Sequence, residues 1–120
     1  MGLFSKKIKN TTFASSSDIK SYLKISMTKD GSEYTLSLNG RLDTVTSPDL
    51  QSKINEVVDD ANKLILDFAE LEYISSAGLR VLLSTVQAME DKGEVVVRDL
   101  TPSVREVFDL TGFCNMLNIE

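Results

Sequence analysis

Apolar and polar residues alternate along two neighbouring segments near the start of the chain. In the first segment the apolar positions are Leu23, Ile25 and Met27. After Asp30 and Gly31 the alternation resumes, with apolar residues at Tyr34, Leu36 and Leu38. A period of two residues is typical of strands with one buried face, and Asp-Gly favours a tight hairpin turn. The pattern therefore predicts an antiparallel β-hairpin over residues 23–38.

Beyond Gly40 the pattern changes to helical stripes that are separated by short apolar runs. The runs, residues 64–68 and 95–97, predict strands buried on both faces, and residues 116–119 predict a last edge strand. Helix boundaries are indicated by Pro48 after a capping Thr46 or Ser47, by Thr101-Pro102, and by glycines at positions 93 and 112. The stripes consist of Leu50, Ile54, Val57, Val58 and Ala61; of Leu79, Leu82, Leu83, Val86 and Met89; and of Val104, Val107 and Phe108.

The order strand, strand, helix, strand, helix, strand, helix predicts a single α/β domain. Its mixed sheet begins with the antiparallel hairpin and continues with parallel strands joined by right-handed helical crossovers, so the helices pack mainly on one face. Binding sites in such folds lie at the carboxyl ends of the parallel strands. The loop containing Asp43 and the loop containing Ser75 and Ser76 are both expected there, side by side.

Two adjacent serines, Ser75 and Ser76, occupy the junction between the central strand and the second helix, where an N-cap residue belongs. Gly78 in the first turn is expected to keep side-chain bulk away from the exposed backbone N–H groups. A hydroxyl here lies at the positive end of the helix dipole, where added negative charge is favoured. Two interpretations stay open: serines that only cap the helix, and a phosphoserine switch.

Composition removes several classes of function. The chain has 120 residues, a net charge of −5, no histidine and one cysteine, Cys114. The acidic balance argues against nucleic-acid binding, and a single cysteine excludes an internal disulfide and any cysteine-based metal spacing. The absence of histidine removes the commonest general base and zinc ligand, so we expect no cofactor and no metal, although the carboxylates near the serines could in principle hold one. No apolar run approaches the ~20 residues of a membrane span. These features predict a cytoplasmic protein in which Cys114 is a buried structural thiol.

The first 21 residues differ from the rest of the chain. Lys6, Lys7 and Lys9 give this segment positive charge, and a run rich in Ser and Thr follows, so we expect a flexible arm before a folded domain at residues 22–120. Without these three lysines the charge on residues 13–120 is −8. An acidic surface of this kind favours a partner with a basic face.

Candidate catalytic groups are scarce. The carboxylates that flank the serine loop are Asp43, Asp67, Glu70 and Glu72. No residue supplies a base for a nucleophilic serine, and the six glycines are scattered rather than grouped in a phosphate-binding loop. The absence of a general base and of a phosphate-binding loop favours an interaction module over an enzyme.

Four separated motifs resemble those of bacterial STAS-domain anti-sigma factor antagonists. They are residues 40–46 (GRLDTVT), 64–67 (LILD), 73–79 (YISSAGL) and 104–113 (VREVFDLTGF), and the resemblance extends over residues 22–120. It implies the STAS fold and a non-enzymatic protein that captures an anti-sigma factor and so releases a sigma factor. In that family the anti-sigma factor is also an ATP-dependent serine kinase, whose phosphorylation of the antagonist ends the capture until a serine phosphatase reverses it.

The resemblance also implies site residues. The usual family loop reads Asp-Ser-Ser/Thr-Gly-Leu, which places Ser76 at the phosphoacceptor and Ser75 at the Asp, so Ser75 becomes a rival acceptor. The implied partner-binding residues are Asp43, Thr44, Ser75, Ser76, Ala77, Gly78 and Arg80. An alternative within the same fold is a STAS module that senses a small molecule or serves in another regulatory or transport complex.

Overall fold

A computed structural model describes residues 22–120, and the predicted arm at residues 1–21 lies outside them. The predicted element order is confirmed. The elements are β1 (Leu23–Asp30), β2 (Glu33–Leu42), α1 (Ser47–Val57), β3 (Lys63–Ile74), α2 (Ser76–Met89), β4 (Glu94–Arg98), α3 (Pro102–Thr111), a 3₁₀ turn (Phe113–Asn115) and β5 (Asn118–Ile119).

The five strands form one mixed sheet in the order β1-β2-β3-β4-β5. β1 pairs with β2 in antiparallel register from Leu23 opposite Gly40 to Asp30 opposite Glu33, and all later pairs are parallel. Each parallel strand is added on the same side of its predecessor, so right-handed crossovers place α1, α2 and α3 on one face. The predicted fold class is confirmed.

The central strand β3 is longer than its apolar run predicted. Its first half pairs with both neighbours, whereas beyond Asp67 only β2 continues beside it, as far as Ile74. On the side where β4 has ended, two hydroxyls from the beginning of α3 bind the backbone of β3 instead. Thr101 donates to the Leu71 carbonyl (2.8 Å), and Ser103 donates to the Glu72 carbonyl (3.1 Å). The strand that leads to the serine loop is therefore held on both sides.

The core lies between the sheet and the helices, and Phe68 of β3 packs edge-on against Phe108 of α3 with ring centroids 6.3 Å apart. The predicted stripe of α2 is partly wrong, since Leu83 and Val86 are only half-buried while Val81 and Thr85 are buried. Thr85 is tolerated there because its hydroxyl donates to the Val81 carbonyl at 2.7 Å. Because Thr85 is polar, its position on the buried face of α2 was not evident from the sequence pattern.

Cys114 departs from the prediction of a buried thiol. It is half-buried at the rim of the core, and its Sγ lies 3.0 Å from Oδ1 of Asp109. The hydrogen bond to this carboxylate raises the pKa of the Cys114 thiol above its ordinary value. A raised pKa favours the neutral thiol over the nucleophilic thiolate. Low reactivity is therefore still expected for Cys114, although it is more exposed than predicted.

Two glycines give a matched test of backbone packing. A Cβ on Gly93 would overlap the backbone carbonyl oxygen of Asn62, whereas Gly112 has φ +80° and open space around it. We expect Gly93→Ala to lower the free energy of unfolding by about 3 kcal/mol through overpacking. Gly112→Ala should cost only about 1 kcal/mol, from the left-handed conformation. Urea unfolding measures both, and equal losses would contradict this account of Gly93.

Candidate functional site

One backbone hydrogen bond joins the two loops at the carboxyl ends of β2 and β3. The N–H of Ser75 donates to the carbonyl of Leu42, the last residue of β2, at 2.9 Å. The loop containing Asp43 follows Leu42 directly, so it lies beside the serine loop. The predicted proximity of the two loops is confirmed, and their surface is the candidate site.

Asp43 organises the loop between β2 and α1. Its Oδ1 accepts hydrogen bonds from the backbone N–H of Val45 (3.0 Å) and Thr46 (3.1 Å). Thr46 is the N-cap residue of α1, and its hydroxyl donates to the Arg41 carbonyl (2.8 Å). Ser47 donates its hydroxyl to the Asp43 carbonyl at 2.6 Å. The carboxylate therefore holds the turn in shape as well as placing negative charge beside the serines.

The two serines differ in their environments. Ser75 has extended backbone dihedrals and is the N-cap of α2, and its Oγ accepts from the N–H of Gly78 at 3.3 Å. Ser75 is half-buried, whereas Ser76, the first residue of the helix, is exposed. The hydroxyl of Ser75 is thus used in capping, and the hydroxyl of Ser76 is presented to solvent.

Gly78 has a packing role that the sequence did not indicate. It is buried, and a Cβ at this position would lie 2.8 Å from Cγ of Leu42 and 2.8 Å from Cγ1 of Ile74. Since both distances are below van der Waals contact, a side chain here would push α2 away from the strand ends. Gly78 therefore permits the close approach of α2 to β2 and β3.

A shallow groove of about 460 Å³ runs between α1 and α2 next to the serine loop. Three of the predicted partner-binding residues line it: Thr44, Ala77 and Arg80. The other four, Asp43, Ser75, Ser76 and Gly78, do not line it but lie within two residues of a lining residue in the chain. The other lining residues, which the sequence analysis missed, are Ser47, Pro48, Gln51, Val81 and Ser84. The groove brings the first turns of both helices into a single surface.

Val45 is a further residue that the sequence analysis overlooked. It is 69% exposed between Asp43 and the start of α1. A single exposed apolar residue is common on protein surfaces, but Val45 directly follows Thr44, which lines the groove, so it adds an apolar side chain beside that surface. The signal was present in the sequence, because Val45 stands alone between two threonines in a segment predicted to be a loop.

The remaining predicted carboxylates do not converge on this surface. Glu70 accepts a hydrogen bond from Nδ2 of Asn39 at 2.6 Å, and Asp67 accepts one from the N–H of Ala69 at 3.0 Å. Among residues 22–120 no group of three acidic or cysteine side chains is placed to hold a metal ion. Within the same residues no helix is long and apolar enough to cross a membrane.

The different roles of the two hydroxyls can be measured as stability. Ser75→Ala removes the cap of α2 and should lower the free energy of unfolding by about 1 kcal/mol. Ser76→Ala removes an exposed hydroxyl and should change it by less than about 0.5 kcal/mol. Urea unfolding of the two variants gives the comparison directly. A larger loss for Ser76→Ala than for Ser75→Ala would contradict the assignment of Ser75 as the cap.

The chain is similar to known proteins in sequence and in fold. The family model of the STAS domain matches residues 24–120. BtrV of Bordetella bronchiseptica, named as a candidate anti-sigma factor antagonist, is 35% identical over 99 residues, which cover 81% of this chain and 85% of that protein. A crystal structure of an anti-sigma factor antagonist from Mycobacterium paratuberculosis is 25% identical, with a TM-score of 0.76, and the match covers 82% of this chain and 85% of that one.

The phosphorylated form of the Bacillus cell fate determinant SpoIIAA has the same fold, with a TM-score of 0.64 and 20% identity over 82% of this chain and 91% of that one. The STAS match covers nearly all the residues that the structure describes. Members of this family are non-enzymatic regulators. The chain belongs to the STAS-domain family of anti-sigma factor antagonists.

Proposed function

We propose that this protein captures an anti-sigma factor that is also a serine kinase, and that phosphorylation of Ser76 ends the capture. The capture surface consists of the Asp43 loop, the first turn of α2 and the groove between α1 and α2. A serine phosphatase that acts on the phosphorylated form would restore binding, and this exchange would take place in the cytoplasm. The relatives named as anti-sigma factor antagonists support the proposal.

The observation that carries the proposal is the exposed hydroxyl of Ser76 at the start of α2. A kinase must bring the acceptor oxygen into line with the transferred phosphoryl group, and an exposed side chain allows that approach. Ser75, in contrast, is half-buried and its oxygen already accepts a hydrogen bond from Gly78, so a kinase would have less access to it and phosphorylation there would disturb the cap. This difference favours Ser76 over its rival as the acceptor.

Physical chemistry explains why one phosphate can act as a switch without unfolding the domain. Phosphorylation adds about −1.5 to −2 charges, and at the start of α2 this charge meets free backbone N–H groups and the positive end of the helix dipole. A partner on the same surface must instead desolvate the phosphate next to the negative Asp43 loop. Losing ~3 kcal/mol of binding free energy would weaken capture about 100-fold.

The surface also offers features that suit protein recognition. Val45 provides an exposed apolar contact, and Pro48, Ala77 and Val81 give the groove an apolar lining. Asp43 supplies negative charge at its edge, in keeping with the acidic balance of the domain and with a basic partner face. Apolar contacts surrounded by polar residues are the usual arrangement at a protein interface.

Phosphosite mapping tests the assignment of the acceptor. After incubation with the cognate anti-sigma factor kinase and ATP, we expect phosphate on Ser76. Ser76→Ala should resist phosphorylation and bind constitutively, whereas Ser76→Asp should imitate the phosphate in part and weaken binding at least tenfold. Calorimetry measures the affinities, and mass spectrometry locates the phosphate.

Ser75→Ala is the matched control for this experiment. It should still accept phosphate at Ser76, because only the cap is removed. Phosphate found on Ser75, or on neither serine, would overturn the assignment. Full binding by the Ser76→Asp protein would argue against a mechanism based on charge.

Two substitutions at Asp43 separate its charge from its structural role. Asp43→Asn retains an oxygen that can accept from Val45 and Thr46 but removes the charge, so we expect capture to weaken roughly 10-fold with the loop intact. Asp43→Ala removes both and should also lower the melting temperature. Glu72→Gln, at an exposed acid outside the groove, is the control and should change affinity little. An Asp43→Asn protein with wild-type affinity at low ionic strength would show that this charge takes no part in capture.

A further inference from the structure

The strand β1 is an open edge of the sheet. It has 8 residues and pairs with β2 in an unbroken register from Leu23 to Asp30. Among residues 22–120 no strand lies on its outer side, whereas the opposite edge, β5, has only 2 residues. A long, regular and unpaired edge favours pairing with another strand.

The alternation of hydrogen bonds along β1 and β2 decides which backbone groups of β1 face outwards. The N–H of Arg41 donates to the carbonyl of Tyr22 at 2.7 Å, so Tyr22 and every second residue after it bond to β2. The residues between them direct their N–H and C=O groups away from the sheet. These residues are Leu23, Ile25, Met27 and Lys29. A second antiparallel copy of β1 can therefore join only in a register that sets these four positions opposite one another.

Charge selects one of the registers that remain. When Met27 lies opposite Met27 of the second copy, Lys24 lies opposite Asp30 of that copy, and the twofold symmetry repeats this pair at the other end. The neighbouring registers, which move the copy by two residues, leave both charges opposite uncharged residues. Opposite charges on facing residues of two strands stabilise their pairing, and like charges destabilise it. The register with Met27 on the axis is thus the complementary one.

The side chains of β1 are available for these contacts. Lys24 and Asp30 are exposed, and none of the three ion pairs within residues 22–120 involves them. Lys29 lies over the ring of Tyr34 in its own chain, with its Nζ 5.5 Å from the ring centroid. Met27 is 44% exposed and would be covered by the same residue of the second copy. Pairing would therefore bury apolar surface between two ion pairs.

We propose that two copies of this chain associate through their β1 strands, antiparallel and with Met27 on the twofold axis. Met27 pairs with itself, and Ile25 pairs with Lys29 on both sides of the axis, which supplies about six backbone hydrogen bonds. The two five-stranded sheets become one continuous sheet. The interface is small for a specific complex, so we expect a dissociation constant on the order of 10–100 μM.

This association leaves the candidate site open in both copies. No residue of β1 lines the groove between α1 and α2. Antiparallel pairing reverses the strand direction between the copies, so the carboxyl ends of β2 and β3 lie at opposite edges of the joined sheet. If the proposed function holds, the dimer binds one anti-sigma factor at each edge. The association itself does not depend on that function.

Sedimentation of the full chain between about 5 and about 500 μM tests the association, and we expect a shift from monomer to dimer across this range. Lys24→Asp and Asp30→Lys each set like charges opposite one another at both ends of the interface, so each should weaken the dimer at least tenfold. An equimolar mixture of the two variants restores opposite charges at both ends and should dimerise again. Asp91→Lys changes the net charge as Asp30→Lys does, at an exposed position outside β1, and should leave the dimer intact.

Disulfide formation measures the register independently. In a Cys114→Ser background, mild oxidation should join two Met27→Cys chains, because facing residues lie within the Cα distance that a disulfide spans. Ser26→Cys should not form this bond, since Ser26 faces Thr28 of the second copy. Thermal unfolding followed by circular dichroism confirms that each variant is folded.

The outcomes of these experiments separate the proposal from its alternatives. A chain that stayed monomeric at about 500 μM would overturn it. Charge reversals without effect would show that the copies meet through another surface. Reversals that weaken the dimer but are not rescued by mixing would contradict the register, and so would a disulfide from Ser26→Cys in place of Met27→Cys. A chain that dimerises but captures no anti-sigma factor would refute the proposed function alone.

Discussion

The site depends on the hydrogen bond between the N–H of Ser75 and the carbonyl of Leu42. It closes the gap between the ends of two parallel strands and fixes the start of α2 against the start of the Asp43 loop. Gly78 makes the contact sterically possible, since any side chain there would meet Leu42 and Ile74. Thr101 and Ser103 support the far side of β3, where β4 has already ended. The serine loop thus rests on backbone contacts that the fold itself supplies.

This scaffold divides its polar groups between structure and recognition. The Ser75 hydroxyl, the Asp43 carboxylate and the Thr46 hydroxyl satisfy backbone groups at the two loops. Ser76 and Val45 remain at the surface, one as a hydroxyl and the other as an apolar contact. Because the structural groups are already paired, a modification of Ser76 changes the surface and its charge with little demand on the fold. A reversible switch requires this separation.

Much of the fold was predictable because hydrophobic period and turn chemistry act locally. The alternation of apolar and polar residues predicted the hairpin, and the apolar runs predicted the parallel strands. The second half of β3 was not predicted, because Glu70, Glu72 and Tyr73 are exposed and interrupt the apolar run. The buried face of α2 was predicted partly wrongly because Thr85, a polar residue that the predicted stripe left out, is buried. Which serine caps α2 depends on a one-residue shift in the helix start, which sequence patterns do not resolve. The groove depends on the packing of α1 beside α2, for which no local signal exists.

The central claim is that this surface captures an anti-sigma factor and that one phosphate on Ser76 prevents it. The most direct measurement adds the full chain to a complex of the cognate anti-sigma factor with its sigma factor and separates the products by size exclusion. The unphosphorylated chain should release the sigma factor and elute with the anti-sigma factor, whereas the chain with phosphoserine at position 76 should leave the original complex intact. Equal release by both forms, or release by neither, would contradict the account.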